Sequence, residues 1–181
     1  MRPTVPRLDD GVIVLRPPEP DDIDAITAAC QDPEIPRWTR VPSPYTREHA
    51  VEFVARAAHT WRVGSGAPFV IVAAQSTDLL GAIGVHRLGG DDGVPEVGYW
   101  LEREARGHGI ATRALRLVTG WACPDLTTRL LLQADVRNAA SRRVAEKAGY
   151  GFVGEAPAPP DIAGSESMAV YSYPAPAARG R

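Results

Sequence analysis

A chain of 181 residues, 44% of them apolar, has the length and the apolar content for one packed core. Its formal charge of -2 lacks the basic excess with which nucleic-acid binders neutralise phosphates, so no nucleic-acid partner is expected. No apolar run reaches membrane-spanning length, the N-terminal segment with Pro3 and Pro6 has no apolar signal core, and Cys30 and Cys123 lack metal-ligand spacing. The expectation is one domain over residues 1–181 in a reducing cytoplasm, with free thiols, no metal and no membrane contact.

Residues 12–16, Val-Ile-Val-Leu-Arg, read as a strand closed by Pro17 and Pro18. Asp21 and Asp22 open a helix that runs to about Cys30 and is broken by Pro33 and Pro36. Thr46 caps a second helix whose stripe is Val51, Phe53, Val54, Ala57, Ala58 and Trp61, stopped by Gly64 and Gly66. Residues 69–73 and 79–86 form a hairpin through Ser76, Thr77 and Asp78. Asp91-Asp92-Gly93 turns the chain into a strand over 95–101. After a glycine-rich loop, Ala111, Ala114, Leu115, Val118, Trp121 and Ala122 share a helical face. A strand follows at 129–136, then a helix capped by Asn138 and stopped by Gly149, with Ser141, Val144, Ala145 and Ala148 inward. Strands at 150–154 and 168–173 close the core, which spans about 12–173, and residues 174–181 form an Ala/Pro/Arg tail read as disordered. The order β-α-α-β-β-β-α-β-α-β-β alternates only in its second half, so the α/β sheet is expected to be mixed rather than wholly parallel.

The segment Arg103-Glu104-Ala105-Arg106-Gly107-His108-Gly109-Ile110-Ala111-Thr112 carries the most chemistry. Glycines at a strand-to-helix junction let backbone N–H groups approach a ligand, and the helix N-terminus favours phosphate there. The loop has no Gly-Lys-Ser/Thr and its glycine spacing, past the middle of the chain, is not that of a dinucleotide fingerprint.

In register with that loop lie Leu15-Arg16-Pro17, Gly81-Ala82-Ile83-Gly84, Glu96-Val97-Gly98-Tyr99-Trp100-Leu101, Asn138-Ala139-Ala140-Ser141 and Glu146-Lys147-Ala148-Gly149-Tyr150. Together these resemble the GNAT acetyltransferase superfamily, in particular its RimJ/RimL-type branch. The resemblance implies a central mixed, splayed sheet flanked by helices, acetyl-CoA as co-substrate and a primary amine as acceptor, either a peptide N-terminus or a small molecule. It implies a pyrophosphate held by backbone amides of Arg106, Gly107, His108, Gly109, Ile110 and Ala111, with the Thr112 hydroxyl assisting. Pantetheine would lie where the strand at 95–101 splays from the strand at 129–136, against backbone groups of Trp100 and Leu101 and within reach of Asn138. Direct transfer in a ternary complex is implied. A non-catalytic acyl-CoA sensor and a transferase of another acyl group stand as alternatives, and either a monomer or a homodimer is compatible.

Amine acetylation needs a base for the amine, a donor for the oxyanion and stabilisation of the departing thiolate. Glu96 is the first candidate base, on the same strand face as Gly98 and Trp100. A strand-edge carboxylate paired with an arginine is the competing reading, and His86 is the competing base. Tyr99 alternates away and reads as a packed core aromatic. Many members of the superfamily carry Tyr seven residues after the Asn of the Asn-x-x-Ala/Ser motif. Here that position is Ala145. Ser141, as in RimL-type enzymes, is the candidate partner of the leaving group, against a purely local bond to backbone. Trp38 is the candidate wall of the acceptor pocket, in a loop after Pro36. Asp32 and Glu34 there are offset by Arg37 and Arg40, which disfavours a polycationic acceptor.

Overall fold

The computed structural model describes residues 6–89, 93–162 and 164–174. The turn expected at Asp91-Asp92 and the tail 175–181 lie outside the described residues. Eight strands occur, β1 (Leu8–Asp9), β2 (Ile13–Arg16), β3 (Gly66–Ala73), β4 (Leu79–His86), β5 (Glu96–Leu101), β6 (Leu130–Asp135), β7 (Gly151–Pro157) and β8 (Ser167–Tyr173). They form one sheet in the order β1-β2-β3-β4-β5-β6-β8-β7. The helices are α1 (Ile23–Ala29), α2 (Glu34–Trp38), α3 (Arg47–Val63), α4 (Ile110–Ala122) and α5 (Ala139–Lys147). Among the described residues no helix is long and apolar enough to cross a membrane.

Neighbouring strands are antiparallel except β5 and β6, which are parallel because α4 carries the chain back across the sheet between them. The sheet is therefore mixed, as the element order implied. The β5–β6 register holds for Glu96↔Leu131 and Val97↔Leu132 only. Gly98 to Leu101 continue along β4 with no partner in β6.

Alternation along the strands divides the core between two faces. On one face α4 and α5 bury Ala114, Leu115, Val118 and Ala145 against Ile13, Leu15, Ile71, Val97, Leu130 and Leu132. At its edge Trp61, Phe69 and Trp121 meet with ring centroids 5.0 to 5.8 Å apart, so Trp61 is a core residue as expected. On the other face α1 and α3 cover Val14, Val70 and Val72 with Ile23, Ile26, Ala50 and Val54.

Several local features differ from the sequence expectation. The two-residue β1, pairing Leu8 with Leu15, is too short to carry a periodic signal. Pro36 does not break the chain but sits in the first turn of α2, where a missing N–H costs no helical hydrogen bond. Trp38 thus ends a short helix rather than lying in a loop. In α3 the buried positions are Ala50, Val54, Ala57 and Trp61, while Val51 is exposed. β3 begins at Gly66, where any Cβ would sit 2.7 Å from the Val85 carbonyl and 2.9 Å from Thr60 Cγ2. Glycine there lets the end of α3 pack directly on the β3–β4 hairpin.

The Leu15-Arg16-Pro17 segment acquires a physical reason. Arg16 forms a bidentate pair with Asp22 at 2.7 and 2.8 Å, and the Glu19 N–H donates to the same carboxylate at 2.7 Å. This clamp holds the entry of α1 to the end of β2, with the Asp22 side chain 8% exposed. Asp22→Asn is expected to destabilise the fold by about 2–3 kcal/mol, because it leaves a half-buried guanidinium without its charged acceptor. Urea unfolding measures this, and a loss below about 0.5 kcal/mol, the range of ordinary surface changes, would show that the clamp carries no weight.

Candidate functional site

The parting of β5 from β6 opens a gap in the middle of the sheet. The Glu102 N–H donates to the Leu80 carbonyl at 3.0 Å, and the Leu131 N–H donates to the Pro95 carbonyl at 2.9 Å. By the alternation of an antiparallel ladder, Glu96, Gly98 and Trp100 turn their backbone groups toward β4, whereas Val97, Tyr99 and Leu101 turn theirs toward β6. The resemblance assigned the backbone of Trp100 to the cleft. The ladder corrects this: Tyr99 and Leu101 face the gap, and Trp100 is bonded to Ala82. Its indole lies on the α1/α3 face.

The glycine-rich loop runs from the end of β5 into α4. Gly107 and Gly109 have φ of 81° and 77°, and Gly109 is the N-cap of α4 without a side-chain cap. A non-glycine residue is strained in this conformation, yet a Cβ at either glycine meets no protein atom within 4 Å. Among the described residues nothing accepts a hydrogen bond from the N–H groups of Gly107, His108, Gly109, Ile110, Ala111 and Thr112. The result is a row of backbone donors at a helix N-terminus with open space before it. Side chains frame the row. Arg106 donates to the Leu101 carbonyl at 2.9 and 3.2 Å and pairs with Asp32 at 2.9 Å, and Arg103 approaches the same carboxylate at 3.4 Å. Burial opposes the ionisation of Asp32, but the hydrogen bond from Arg103, the Glu34 N–H and the charge of Arg106 outweigh it and hold the carboxyl below its usual range. The Arg106 side chain is thus committed to the protein and its N–H to the Arg103 carbonyl at 3.3 Å, which corrects the expected place of Arg106 in the pyrophosphate cradle: the free N–H groups begin at Gly107.

Glu96 stands where the strands separate, with its side chain 16% exposed. Its Oε2 accepts from Arg87 at 2.6 Å and from Gln133 of β6 at 3.2 Å, while Oε1 has no partner among the described residues. The arginine pairing weighed from the sequence is therefore present, and it leaves one oxygen free. Arg87 holds φ of 60°, a conformation uncommon outside glycine. His86 is paired across the ladder with Glu96, and its ring leans over Gly84 and Gly98, whose Cβ positions would lie 3.9 and 3.8 Å from it. Burial lowers the His86 pKa below its usual 6.5, against the opposing charge of Glu96 and with help from Arg40 and Arg87. The imidazole is neutral at pH 7.

Across the gap, Asn138 caps α5 by accepting from the Ser141 N–H at 3.0 Å. The Ser141 hydroxyl accepts from the Tyr99 hydroxyl at 3.1 Å. Tyr99 is therefore more than core packing, a role that strand alternation does not reveal. Its backbone and its phenol both reach the gap, the one along the sheet and the other on the α4/α5 face. Ala145, one turn after Ser141, is fully buried.

At the mouth, Asp135 ends β6 and is held by Arg137 at 2.7 and 2.9 Å; these bonds keep its pKa far below the ordinary range despite burial. Arg137 also reaches over the Trp38 ring, 5.9 Å from its centroid, and Trp38 donates to Glu34 at 3.1 Å. Arg40 pairs with Asp161 at 2.8 Å, tying the segment after α2 to the β7–β8 loop. Trp38 thus lies at the rim beside the end of β6. A cavity of about 330 Å³ opens between α1 and residues 102–104, beside Asp32, and contains none of Glu96, Asn138 and Ser141. Cys30 and Cys123 are free thiols. Among the described residues no three His, Cys, Asp or Glu side chains group to hold a metal ion.

Comparison with known proteins follows the same outline. The sequence is 37% identical over 79 residues to a Bacillus subtilis (strain 168) protein that carries the provisional name ribosomal N-acetyltransferase YdaF. That match spans 43% of this chain and 43% of the relative, less than half of each. The microcin C7 self-immunity acetyltransferase MccE, solved with acetyl-CoA and AMP, superposes with a TM-score of 0.81 at 18% identity, over 91% of this chain and 92% of that one. RimL, a ribosomal L7/L12 alpha-N-protein acetyltransferase solved with CoA, gives 0.80 at 18% identity, over 93% and 96%. At such identities these two structures show a shared fold. A family model described as an acetyltransferase (GNAT) domain matches residues 13–151, from β2 to the start of β7. With the splayed sheet and the glycine-rich helix start inside that span, the chain belongs to the GNAT acetyltransferase family.

Proposed function

We propose that this chain, as a single domain, transfers acetyl from acetyl-CoA to a primary amine by direct attack with both substrates bound. The row of six N–H groups from Gly107 to Thr112, opening beside a gap lined by the backbone of Tyr99 and Leu101, carries the reading. These donors suit a pyrophosphate, since backbone amides and the helix N-terminus supply positive potential with no side chain required. The gap suits an extended pantetheine chain, which would pair with strand-edge groups as a third strand would. MccE was solved with acetyl-CoA and RimL with CoA, which supports this choice of ligand. The names of RimL and YdaF favour a protein N-terminal amine as acceptor.

The protein's own groups then divide the work. The acceptor enters on the side of Glu96, His86 and Gly98, with Trp38 and Arg137 at the rim. Glu96 Oε1 takes the proton that the amine must lose, while Arg87 and Gln133 hold Oε2 and fix the carboxylate. The Leu101 or Tyr99 N–H faces the gap, where it stabilises the developing oxyanion. Ser141 Oγ hydrogen-bonds the sulfur as the thioester carbon leaves it. Asn138 keeps the first turn of α5 in place and lies within the same cleft.

Three measurements test this. Gly109→Val puts a side chain into the open space before the N–H row, at a cost to folding of about 1–2 kcal/mol from backbone strain. It should weaken acetyl-CoA binding by more than about tenfold in calorimetry, equivalent to the loss of about 1.4 kcal/mol or more. Equal affinity would move the pyrophosphate elsewhere. Glu96→Gln should lower turnover by about 10²-fold with acetyl-CoA affinity unchanged. Release of free CoA is the assay, with N-terminal peptides and small amines as acceptors. No release with any amine, despite acetyl-CoA binding, would favour the acyl-CoA sensor.

The third measurement is an NMR titration of His86. Its midpoint should fall below 6.5 and fall further in Glu96→Gln, which removes the charge favouring imidazolium. Because the folded-state pKa is the lower one, the stability at this site is fully present above pH 6.5 and is lost as pH falls below it. A midpoint above 6.5 would mean that the charge of Glu96 outweighs burial.

A further inference from the structure

Ser141 differs from three threonines that lie in helices or at a helix end. Thr27, Thr39 and Thr119 each donate to the carbonyl one turn back, at 2.6 to 2.7 Å. Ser141 makes no such bond. Among the described residues its Oγ has one partner, the Tyr99 hydroxyl, and in that bond Ser141 accepts. A hydroxyl has one proton and two lone pairs. With a lone pair filled by Tyr99, the Ser141 proton has no acceptor among the described residues and is free to turn away from the phenol. Its backbone N–H is held by Asn138, so Oγ cannot drift with the helix end.

Tyr99 is placed for this by the sheet. It lies two residues beyond Val97, the last β5 residue paired with β6, and its ring packs on the α4/α5 core. The phenol spans from one half of the split sheet to the helix of the other. Ala145 brings no hydroxyl to this end of α5.

We propose that Tyr99 is a positioning residue for the leaving group: by donating to Ser141 Oγ, it aims the Ser141 hydroxyl proton at the sulfur of CoA. The inference rests on the acetyl-transfer reading of the same site. As the carbon–sulfur bond breaks, its electron pair goes to sulfur, and the Ser141 O–H hydrogen-bonds the resulting thiolate. No proton leaves Tyr99 or Ser141. The amine proton goes to Glu96 and then to solvent, and the thiolate is protonated by solvent on release. Burial raises the phenol pKa above its ordinary 10, so Tyr99 remains a donor at neutral pH and does not compete as an acid. Donation into Ser141 also polarises its O–H, strengthening the second bond of the chain.

Tyr99→Phe keeps the ring and deletes the hydroxyl. Turnover should fall about fivefold, with the KM for acetyl-CoA within about twofold, as for loss of one hydrogen bond that matters in the transition state. Ser141→Ala should fall at least as far. The double variant should match Ser141→Ala alone, since Tyr99 acts through Ser141. A purely structural Tyr99 gives multiplicative losses or an unchanged turnover with a lower Tm, and either result overturns the proposal. A binding arm separates this from failure of the transfer reading. Calorimetry at about pH 9, where thiols are substantially ionised, compares CoA with desulfo-CoA. The wild type should prefer CoA, and Tyr99→Phe should reduce that preference toward the level of Ser141→Ala. A wild type that binds both equally, or a preference that Tyr99→Phe leaves intact, overturns the proposal even if no acceptor is found.

Discussion

The short pairing between β5 and β6 governs the rest of this structure. Two register pairs hold the strands together, and beyond Val97 and Leu132 each follows its own half of the sheet. β5 stays with β4, and β6 stays with β8. A sheet interior normally leaves no backbone group unpaired, because a buried orphan costs as much as a lost hydrogen bond. Tyr99 and Leu101 are therefore left with polar edges that a ligand can use. The cost of the gap is limited by what bridges it. α4 packs under one half and α5 under the other, and the two helices touch. Thr119 of α4 meets the Tyr150 hydroxyl beyond α5 at 2.7 Å in the buried interior, and Glu96 and Gln133 join the strands at the vertex.

Charge is arranged so that side chains hold the loop and the backbone faces outward. Asp32 gathers Arg103 and Arg106, and Arg106 also closes the Leu101 carbonyl. Asp135 gathers Arg137, and Asp22 gathers Arg16. Each of these three carboxylates is matched to a guanidinium, and at Asp22 and Asp135 the pair takes the fork geometry that best repays desolvation. Glu96 fits this pattern through Arg87, but with only one of its oxygens engaged. A carboxylate that is oriented and still has a free lone-pair face is better suited to accept a proton than one chelated on both oxygens. In the GNAT frame this difference separates Glu96 from Asp22 and Asp135.

Ser141 and Tyr99 show how a helix start and a strand can share one task. Asn138 satisfies the first turn of α5, which frees Ser141 from capping duty. The phenol arrives from β5, so its position depends on how far the two halves of the sheet have parted. A change in the splay would move the hydroxyl pair and the strand-edge groups together. In the proposed acetyl-transfer reading, geometry for the leaving group and for the pantetheine chain is thus set by one structural variable.

The sequence by itself determined the order of the longer elements but not the two-residue β1 or the short α2, and it determined the mixed α/β class, the helix start at Gly109 and the cap at Asn138. These rest on local chemistry: periodicity, glycine conformations and side chains that bond within three or four residues. It also placed Glu96 beside a candidate arginine without naming Arg87, since only the β4–β5 register brings residues 87 and 96 together. The direction of backbone groups was not legible. The choice between Trp100 and its neighbours depends on which side of β5 the β4 ladder occupies, a property of pairing and not of composition. The Tyr99–Ser141 contact spans 42 positions and arises because α5 packs on the face that Tyr99 shares. Pro36 and Trp38 depart from the sequence expectation for the reverse reason: the local rule that proline breaks a helix does not hold in the first turn of α2, which tolerates it. What tertiary structure alone decided is the width of the gap and what crosses it, because both depend on two ladders competing for the same strands.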